Sequence, residues 1–305
     1  MKRSIHILIL FMMNTAAFSQ SWVDTTLYPF NSKYLSLDSG KMHYIDEGQG
    51  ETILCLHGEP SWSYLYRKMI PILSKSHRVI APDLIGFGRS DKYVSVKDYS
   101  FEMHFSKLEK FIRILGLNNI TVVVQDWGGL LGLPLLAEHP NLFKRVVVMN
   151  TYLPTGKKPM PLAFKLWKGL SQLSPFMPVG SILSAGTHQK LSASAKQAYN
   201  APFPSAKYKA GAKIFPALVP SSESDPAVPY MLKARAVLKE WQKPAFVLFS
   251  DKDPIMSGAW KWFYHNIPTA KNQPQITIKD AGHFLQEDKG EEIATHINAF
   301  MLRTK

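Results

Sequence analysis

One aspartate in this chain stands where a nucleophile would be presented. Val124-Gln125-Asp126-Trp127-Gly128-Gly129 follows a short apolar run and opens a helical one over residues 130–137. A sharp strand-to-helix turn at such a junction exposes one side chain above a sheet. Serine is the usual occupant and needs a base to activate it. A carboxylate, with a reference pKa of about 3.9, is already ionised at pH 7 and can attack carbon unaided. Gly128 supplies the small residue wanted two places after the nucleophile, whereas Val124, two before it, is larger than that pattern asks. Aspartate is also an ordinary helix N-cap, so the nucleophile reading leans on other segments. Asp280-Ala281-Gly282-His283-Phe284 follows the last strand-like run, and Asp251-Lys252-Asp253-Pro254 follows the one before it. A histidine and an acid in those places supply a base for water and a carboxylate to orient it. Asp253 is taken as that acid; Asp251 is the alternative, better suited to capping its loop. In His57-Gly58-Glu59-Pro60-Ser61-Trp62 the backbone N–H of Glu59, with that of Trp127, would form an oxyanion hole. The Glu59 side chain is left without a role.

Positioning such groups requires a sheet with its strand ends aligned, and the hydrophobic pattern provides one. Residues 53–56, 78–81, 121–124, 146–149, 245–249 and 275–278 are short, continuously apolar strands, which implies burial on both faces, as in a parallel sheet covered by helices. Residues 34–37 and 42–45 alternate around Asp38-Ser39-Gly40, a hairpin signal. Phe101, Phe105, Leu108, Ile112 and Leu115 form a helical stripe stopped by Gly116, and Ile293, Ile297, Phe300 and Met301 form another near the C-terminus. Alternating strands and helices predict a doubly wound α/β fold. The alternation breaks over residues 153–232, where helical pieces anchored by Phe164, Trp167, Phe203, Tyr208 and Phe215 predict an inserted helical cap. The core is then expected in two parts, residues 21–152 and 233–305.

The 305 residues carry a formal net charge of +13. Residues 1–20 read as a secretory signal peptide: Lys2 and Arg3, an apolar run over 5–13, then small residues around Ala16, Ala17 and Ser19. That run is shorter than the ~20 residues a membrane span needs, so no stable membrane anchor is expected. Removal of Lys2 and Arg3 with the signal leaves +11. The lysines form no basic block, which argues against a nucleic-acid partner and leaves open a loose attraction to anionic surfaces. Cys55 is the one cysteine, so no intrachain disulfide can form, and its apolar neighbours suit a core residue. No Cys/His cluster has metal-ligand spacing, and Gly86-Phe87-Gly88 lacks the further glycines of a phosphate fingerprint, so no metal or organic cofactor is expected.

The motifs together resemble the haloalkane dehalogenases, a family of the α/β-hydrolase fold. The likeness is carried by residues 57–73, 83–91, 125–129, 150–156, 201–204 and 280–284, and extends over nearly the whole mature chain. The order nucleophile, acid, histidine is that of α/β-hydrolases, and the Gln-Asp-Trp-Gly-Gly elbow with His-Gly-Glu-Pro is similar to the branch that holds halide with two tryptophans. The resemblance implies Asp126 as nucleophile, His283 as base, Asp253 as the acid orienting it, and the Trp127 indole N–H as one halide donor. For the second donor the sequence departs: counting back from Ala198, the matching position is Thr187, and Trp167 is the nearest cap tryptophan. The implied chemistry is displacement of halide from a haloalkane, then hydrolysis of the Asp126 alkyl ester by water, with alcohol and halide as products. Three other readings share these residues in part. Epoxide hydrolases would need cap tyrosines, for which Tyr152, Tyr199, Tyr208 and Tyr230 are available. The dehalogenase-like luciferases reuse the triad, and a non-catalytic binding protein could reuse the fold.

The mature chain is expected in the periplasm or outside the cell. Expressed from Met1 in an exporting bacterium, it should be recovered in the periplasm and begin near Gln20 or Ser21 by N-terminal mass analysis. An uncleaved cytoplasmic product would contradict the signal reading.

Overall fold

Five of the six apolar runs become inner strands of one eight-stranded sheet, whereas the sixth, over residues 275–278, forms a partly exposed edge strand and is not buried on both faces. A computed structural model of the chain describes residue 23, residues 25–173 and residues 177–305, so the proposed signal lies outside the described residues. The strands are β1 (Lys33–Ser36), β2 (Lys41–Glu47), β3 (Thr52–Leu56), β4 (Arg78–Pro82), β5 (Ile120–Gln125), β6 (Phe143–Met149), β7 (Ala245–Ser250) and β8 (Ile276–Ile278). Their order is β1-β2-β4-β3-β5-β6-β7-β8. The β1–β2 hairpin lies at one edge, where β2 runs antiparallel to both neighbours. All the remaining pairings are parallel. Every residue of β3 and β5 is buried, as continuous apolarity requires of central parallel strands. Cys55 is among them.

The helices are α1 (Ile70–Leu73), α2 (Phe101–Ile114), α3 (Trp127–Glu138), α4 (Leu162–Leu173), α5 (Val179–Ala185), α6 (Ala193–Asn200), α7 (Ala210–Leu218), α8 (Val228–Lys239), α9 (Trp260–Asn266) and α10 (Leu285–Arg303). In α2 the stripe Phe101, Phe105, Leu108 and Ile112 is buried, and Ser100 caps the start by accepting the Met103 N–H at 3.1 Å. Gly116, in the left-handed region at φ 60°, follows the last turn. The elbow joins β5 to α3, and α3 is buried along residues 127–137, each fully buried leucine contributing about 1.5–3 kcal/mol.

The stretch between β6 and β7 holds α4 to α8. Of these α8 packs against α3 rather than with the other inserted helices, so the expected boundary between residues 232 and 233 falls inside a helix of the core layer. The rest of the insert is fastened to the core by polar ties. The Tyr199 hydroxyl donates to Glu287, which also receives Arg67 Nη2 at 2.8 Å, and Asp288 accepts the backbone N–H groups of His188 and Gln189 at 2.8 and 2.9 Å.

A buried carboxylate at the end of β4 fixes the loop that follows β3. Asp83 accepts the N–H of Ser63 at 2.7 Å through one oxygen, and that of Arg89 at 2.8 Å through the other, which also lies 2.7 Å from His43 Nδ1. The next N–H, of Leu84, donates to His57 Nε2 at 3.0 Å. Burial opposes the Asp83 charge, but His43, His57 and the backbone donors outweigh it and hold its carboxyl well below the usual range. Its stabilisation is therefore present above the unfolded carboxylate pKa and is lost as pH falls through the folded one. Asp83→Ala should cost about 3–5 kcal/mol in urea unfolding at neutral pH, because it strands buried donors. A loss below about 1 kcal/mol would mean the loop is held by other contacts.

Candidate active site

The site is built at the carboxyl ends of the parallel strands, where α/β sheets place their chemistry. Asp126 directly follows β5 and sits at φ 50°, ψ −122°, a left-handed turn that lifts its side chain off the sheet before α3 begins. The turn closes because α3 lies almost on β3: a Cβ on Gly128 would meet the Leu56 carbonyl oxygen at 2.0 Å. The oversized Val124 has its explanation one turn along α3. A Cβ on Gly132 would meet Val124 Cγ1 at 2.9 Å, so glycine there makes the room that valine takes. Thr151 Oγ1 donates to the Asp126 carbonyl at 2.7 Å and steadies the elbow from β6.

Two groups meet the Asp126 carboxylate. The Glu59 backbone N–H donates to Oδ1 at 2.8 Å, and His283 Nε2 lies 3.4 Å from Oδ2. Trp127 N–H, the other expected oxyanion donor, heads α3 beside them and has no hydrogen-bond partner among the described residues. On its far side His283 Nδ1 is 2.7 Å from Asp253 Oδ2, while Asp253 Oδ1 accepts the N–H groups of Ile255 at 2.8 Å and Met256 at 3.1 Å. Asp126, His283 and Asp253 are thus brought together from three strand ends. Asp251 is not; it stands by Lys252 at 3.7 Å and is held by backbone N–H groups of its neighbouring loop, a capping role.

Burial disfavours charge at each partner, and the neighbours decide the outcome. For His283, burial works against the imidazolium, but the carboxylates of Asp253 and Asp126 outweigh it and raise its pKa. For Asp253, burial is likewise outweighed, by His283 and the two backbone donors, and its carboxyl is held low. Glu59 goes the other way: burial first, then the charge of Asp126, drives it well above the carboxylate range, against smaller opposing effects of His283 and Trp167. Its side chain is buried beside Asp126, where charge is disfavoured.

Trp127 is buried, with its ring 4.4 Å from that of Phe215, and it lines a cavity of about 290 Å³. Asp126, Leu130, Phe164, Val219, Ile255 and Met256 share in its lining. Trp167, on α4, is half-buried and close enough to the Glu59 carboxyl to favour its charge slightly, which puts it beside the loop that contacts Asp126. Thr187 is spent elsewhere: its hydroxyl donates to Ser184 O at 3.0 Å and Gln189 O at 2.6 Å. Among the described residues no group of three or more His, Cys, Asp or Glu could hold a metal ion.

Sequence reasoning passed over several residues that hold these groups. Asn150, at φ 25° after β6, donates to the carbonyls of Gly282 at 3.0 Å and His283 at 3.1 Å and accepts the Ser250 N–H at 3.0 Å, tying three strand ends. Gln125 Nε2 lies 3.2 Å from His283 Nε2 and donates to its carbonyl, also at 3.2 Å. Asp288 accepts the Gly282 N–H at 2.9 Å while holding the cap loop at His188 and Gln189. For Gln125 and Asn150 the available signal is position, a polar residue at the end of a buried strand; Asp288, in the first turn of α10, carries none.

This geometry has close counterparts. The alpha/beta hydrolase fold family matches residues 51–290. A haloalkane dehalogenase of Psychrobacter cryohalolentis is 48% identical over 282 residues, covering 90% of this chain and 93% of its own. The tetrameric structure of haloalkane dehalogenase DpaA from Paraglaciecola agarilytica NO2 superposes with a TM-score of 0.83 at 39% identity, covering 88% of this chain and 92% of that one. A cis-3-alkyl-4-alkyloxetan-2-one decarboxylase of Shewanella oneidensis is 35% identical over 92% of this chain and 91% of its own. With the fold, the match across the whole core and the carboxylate at the elbow in agreement, the chain belongs to the haloalkane dehalogenases.

Proposed function

We propose that Asp126, His283 and Asp253 carry the two half-reactions of this haloalkane dehalogenase, with Trp127 and Trp167 receiving the halide. The observation that carries this reading is the division of labour at the Asp126 carboxylate: Oδ1 is held by the Glu59 N–H at 2.8 Å, leaving Oδ2 to attack. Oδ2 bonds to the halogen-bearing carbon, the carbon–halogen bond breaks, and the halide leaves into the cavity beside the Trp127 indole. Trp167 would turn its N–H to the anion.

The ester has lost the negative charge of Asp126. One of the two carboxylates that favour imidazolium is gone, so neutral His283 becomes easier to reach in the state that needs it. Water then adds to the ester carbonyl as His283 takes its proton, and the oxyanion forms at the oxygen already facing Glu59 and Trp127. Collapse breaks the bond between the acyl carbon and the alkyl oxygen, the leaving alkoxide takes back the proton from His283 to become the alcohol, and loss of the remaining water proton restores the carboxylate. Asp253 holds the Nδ1 tautomer and the resulting charge.

Epoxide hydrolysis is less well supported. Of the four candidate tyrosines only Tyr152 lines the cavity; the hydroxyls of Tyr199 and Tyr230 are given to Glu287 and Glu102. Halide release from chloro-, bromo- and iodoalkanes, assayed beside diol formation from epoxides, separates the readings and the luciferase and binding alternatives with them. Bromide release from short or medium bromoalkanes is expected; diol without halide would overturn the proposal. We also propose export to the periplasm or beyond, on the pattern of residues 1–20.

Four variants test the roles. His283→Phe, given a bromoalkane, should release about one halide per enzyme and retain the alkyl group on the peptide containing Asp126, whereas Asp126→Asn should do neither. An alkyl group on another residue, or sustained turnover by His283→Phe, would refute the assignment. Trp167→Phe should weaken halide binding about tenfold or more, since a hydrogen bond to an ion is lost, and unchanged halide quenching of fluorescence would remove Trp167 from the site. Asp253→Asn removes the carboxylate that raises the His283 pKa. Hydrolysis of the ester should therefore slow by about a hundredfold or more, with its acidic limb moved to lower pH. An unmoved limb in single-turnover pH profiles would show that another group sets it.

A further inference from the structure

The cap presents a surface that the chemistry does not use. On α4 the inner side is occupied by Phe164, Trp167 and Ser171, packed toward the core. Leu162, Leu166 and Leu170, spaced four apart and so on one face, are 72%, 60% and 64% exposed. Three leucines in a row on the outside of a helix have no folding rationale, because leaving them in water forgoes the transfer energy that burial would give. Their surroundings are of one charge. Between Leu153 and Ser222 the chain has nine lysines and no Asp or Glu, so all 23 acids lie elsewhere. Lys165 and Lys168 sit on α4 itself, Lys157 and Lys158 just before it, and Lys213 on α7, whose carbonyl at that residue accepts from Gln172 of α4. Lys157 has Glu223 at 3.8 Å, while Lys165 and Lys168 have no carboxylate within ion-pair distance among the described residues.

We propose that the outer face of α4 is a reversible docking surface for an anionic phospholipid bilayer. An exposed leucine stripe rimmed by lysine, on a helix without acids, is the pattern of a helix that lies in a membrane interface: leucines enter the acyl boundary and lysines meet the phosphates. A second copy of the chain fits less well, since pairing the same faces would bring lysine against lysine. Docking is peripheral, for no helix among the described residues is long and apolar enough to cross a membrane. It also has a consequence for supply. Pro161 and Phe164, adjoining the stripe on the inner side, line the cavity, so a docked cap sets the cavity close to the layer into which apolar haloalkanes partition.

The test is co-sedimentation of the full chain with vesicles of phosphatidylcholine alone and of phosphatidylcholine mixed with phosphatidylglycerol. Residues 1–20 are common to every variant, so differences between variants report on the cap. Wild type should bind the anionic vesicles and release them at high salt. Lys165→Gln with Lys168→Gln, and separately the triple change of Leu162, Leu166 and Leu170 to Gln, should each weaken that binding about tenfold or more while turnover of a water-soluble bromoalkane stays unchanged. Equal binding by all three proteins, or equal binding to the neutral vesicles, would overturn the proposal. So would a wild-type oligomer that the leucine changes dissociate, in a protein that binds no vesicle.

Discussion

Everything at the centre of this molecule is arranged around one carboxylate held at a left-handed turn. Asp126 would relax at an ordinary backbone angle in most surroundings, and non-glycine residues at positive φ persist only where the structure around them over-determines the conformation. Here three contacts do so: α3 lying against the Leu56 carbonyl through Gly128, the Thr151 hydroxyl on the Asp126 carbonyl, and the Glu59 N–H on its side chain. The parallel sheet is the frame for these, because only strands ending in register bring β3, β5, β6 and β7 to the same edge. Asp83, Asn150 and Asp288 then fasten the loops that leave those ends.

The electrostatics follow from burial. A site closed to water penalises every charge within it, so each charged group persists by its partner, and the group without a sufficient partner becomes neutral. Asp253 and His283 form one such pair at 2.7 Å; at Glu59 burial and the charge of Asp126 outweigh the smaller effects of His283 and Trp167, so its charge is disfavoured. The same ties couple site to cap: Asp288 binds the backbone of Gly282 and of His188 and Gln189 with one side chain, so the histidine loop and the cap loop share a support.

Much of this was legible in the sequence, for physical reasons that also mark where legibility stops. Continuous apolar runs separated by helical stretches can be read as parallel strands, and an aspartate between such a strand and a glycine pair, equally suited to capping a helix, is marked as nucleophile by the histidine and acid placed after later strands. Asp253 could be preferred to Asp251 from its place, but only the 2.7 Å contact to His283 separates them. Val124 looked like a departure until Gly132 accounted for it, since compensation across a helix turn and a strand is invisible in a linear pattern. Asn150, Gln125 and Asp288 carry no chemistry of their own, and the first five residues of α8 read as cap because the packing of that helix against α3 is a tertiary fact. For the second tryptophan, register counting pointed to Thr187, whose hydroxyl is tied to its own loop, whereas Trp167 reaches Glu59 from another helix.

The central claim is that the oxygen of the product alcohol comes from Asp126 and not directly from water. A single turnover with enzyme in excess over a bromoalkane, run in water enriched in oxygen-18, tests it without any variant. Attack of water on the ester carbonyl leaves the alkyl–oxygen bond intact, so the account predicts alcohol carrying ordinary oxygen and the heavy isotope on the Asp126 peptide. Heavy oxygen in the first-turnover alcohol, with none on that peptide, would contradict it.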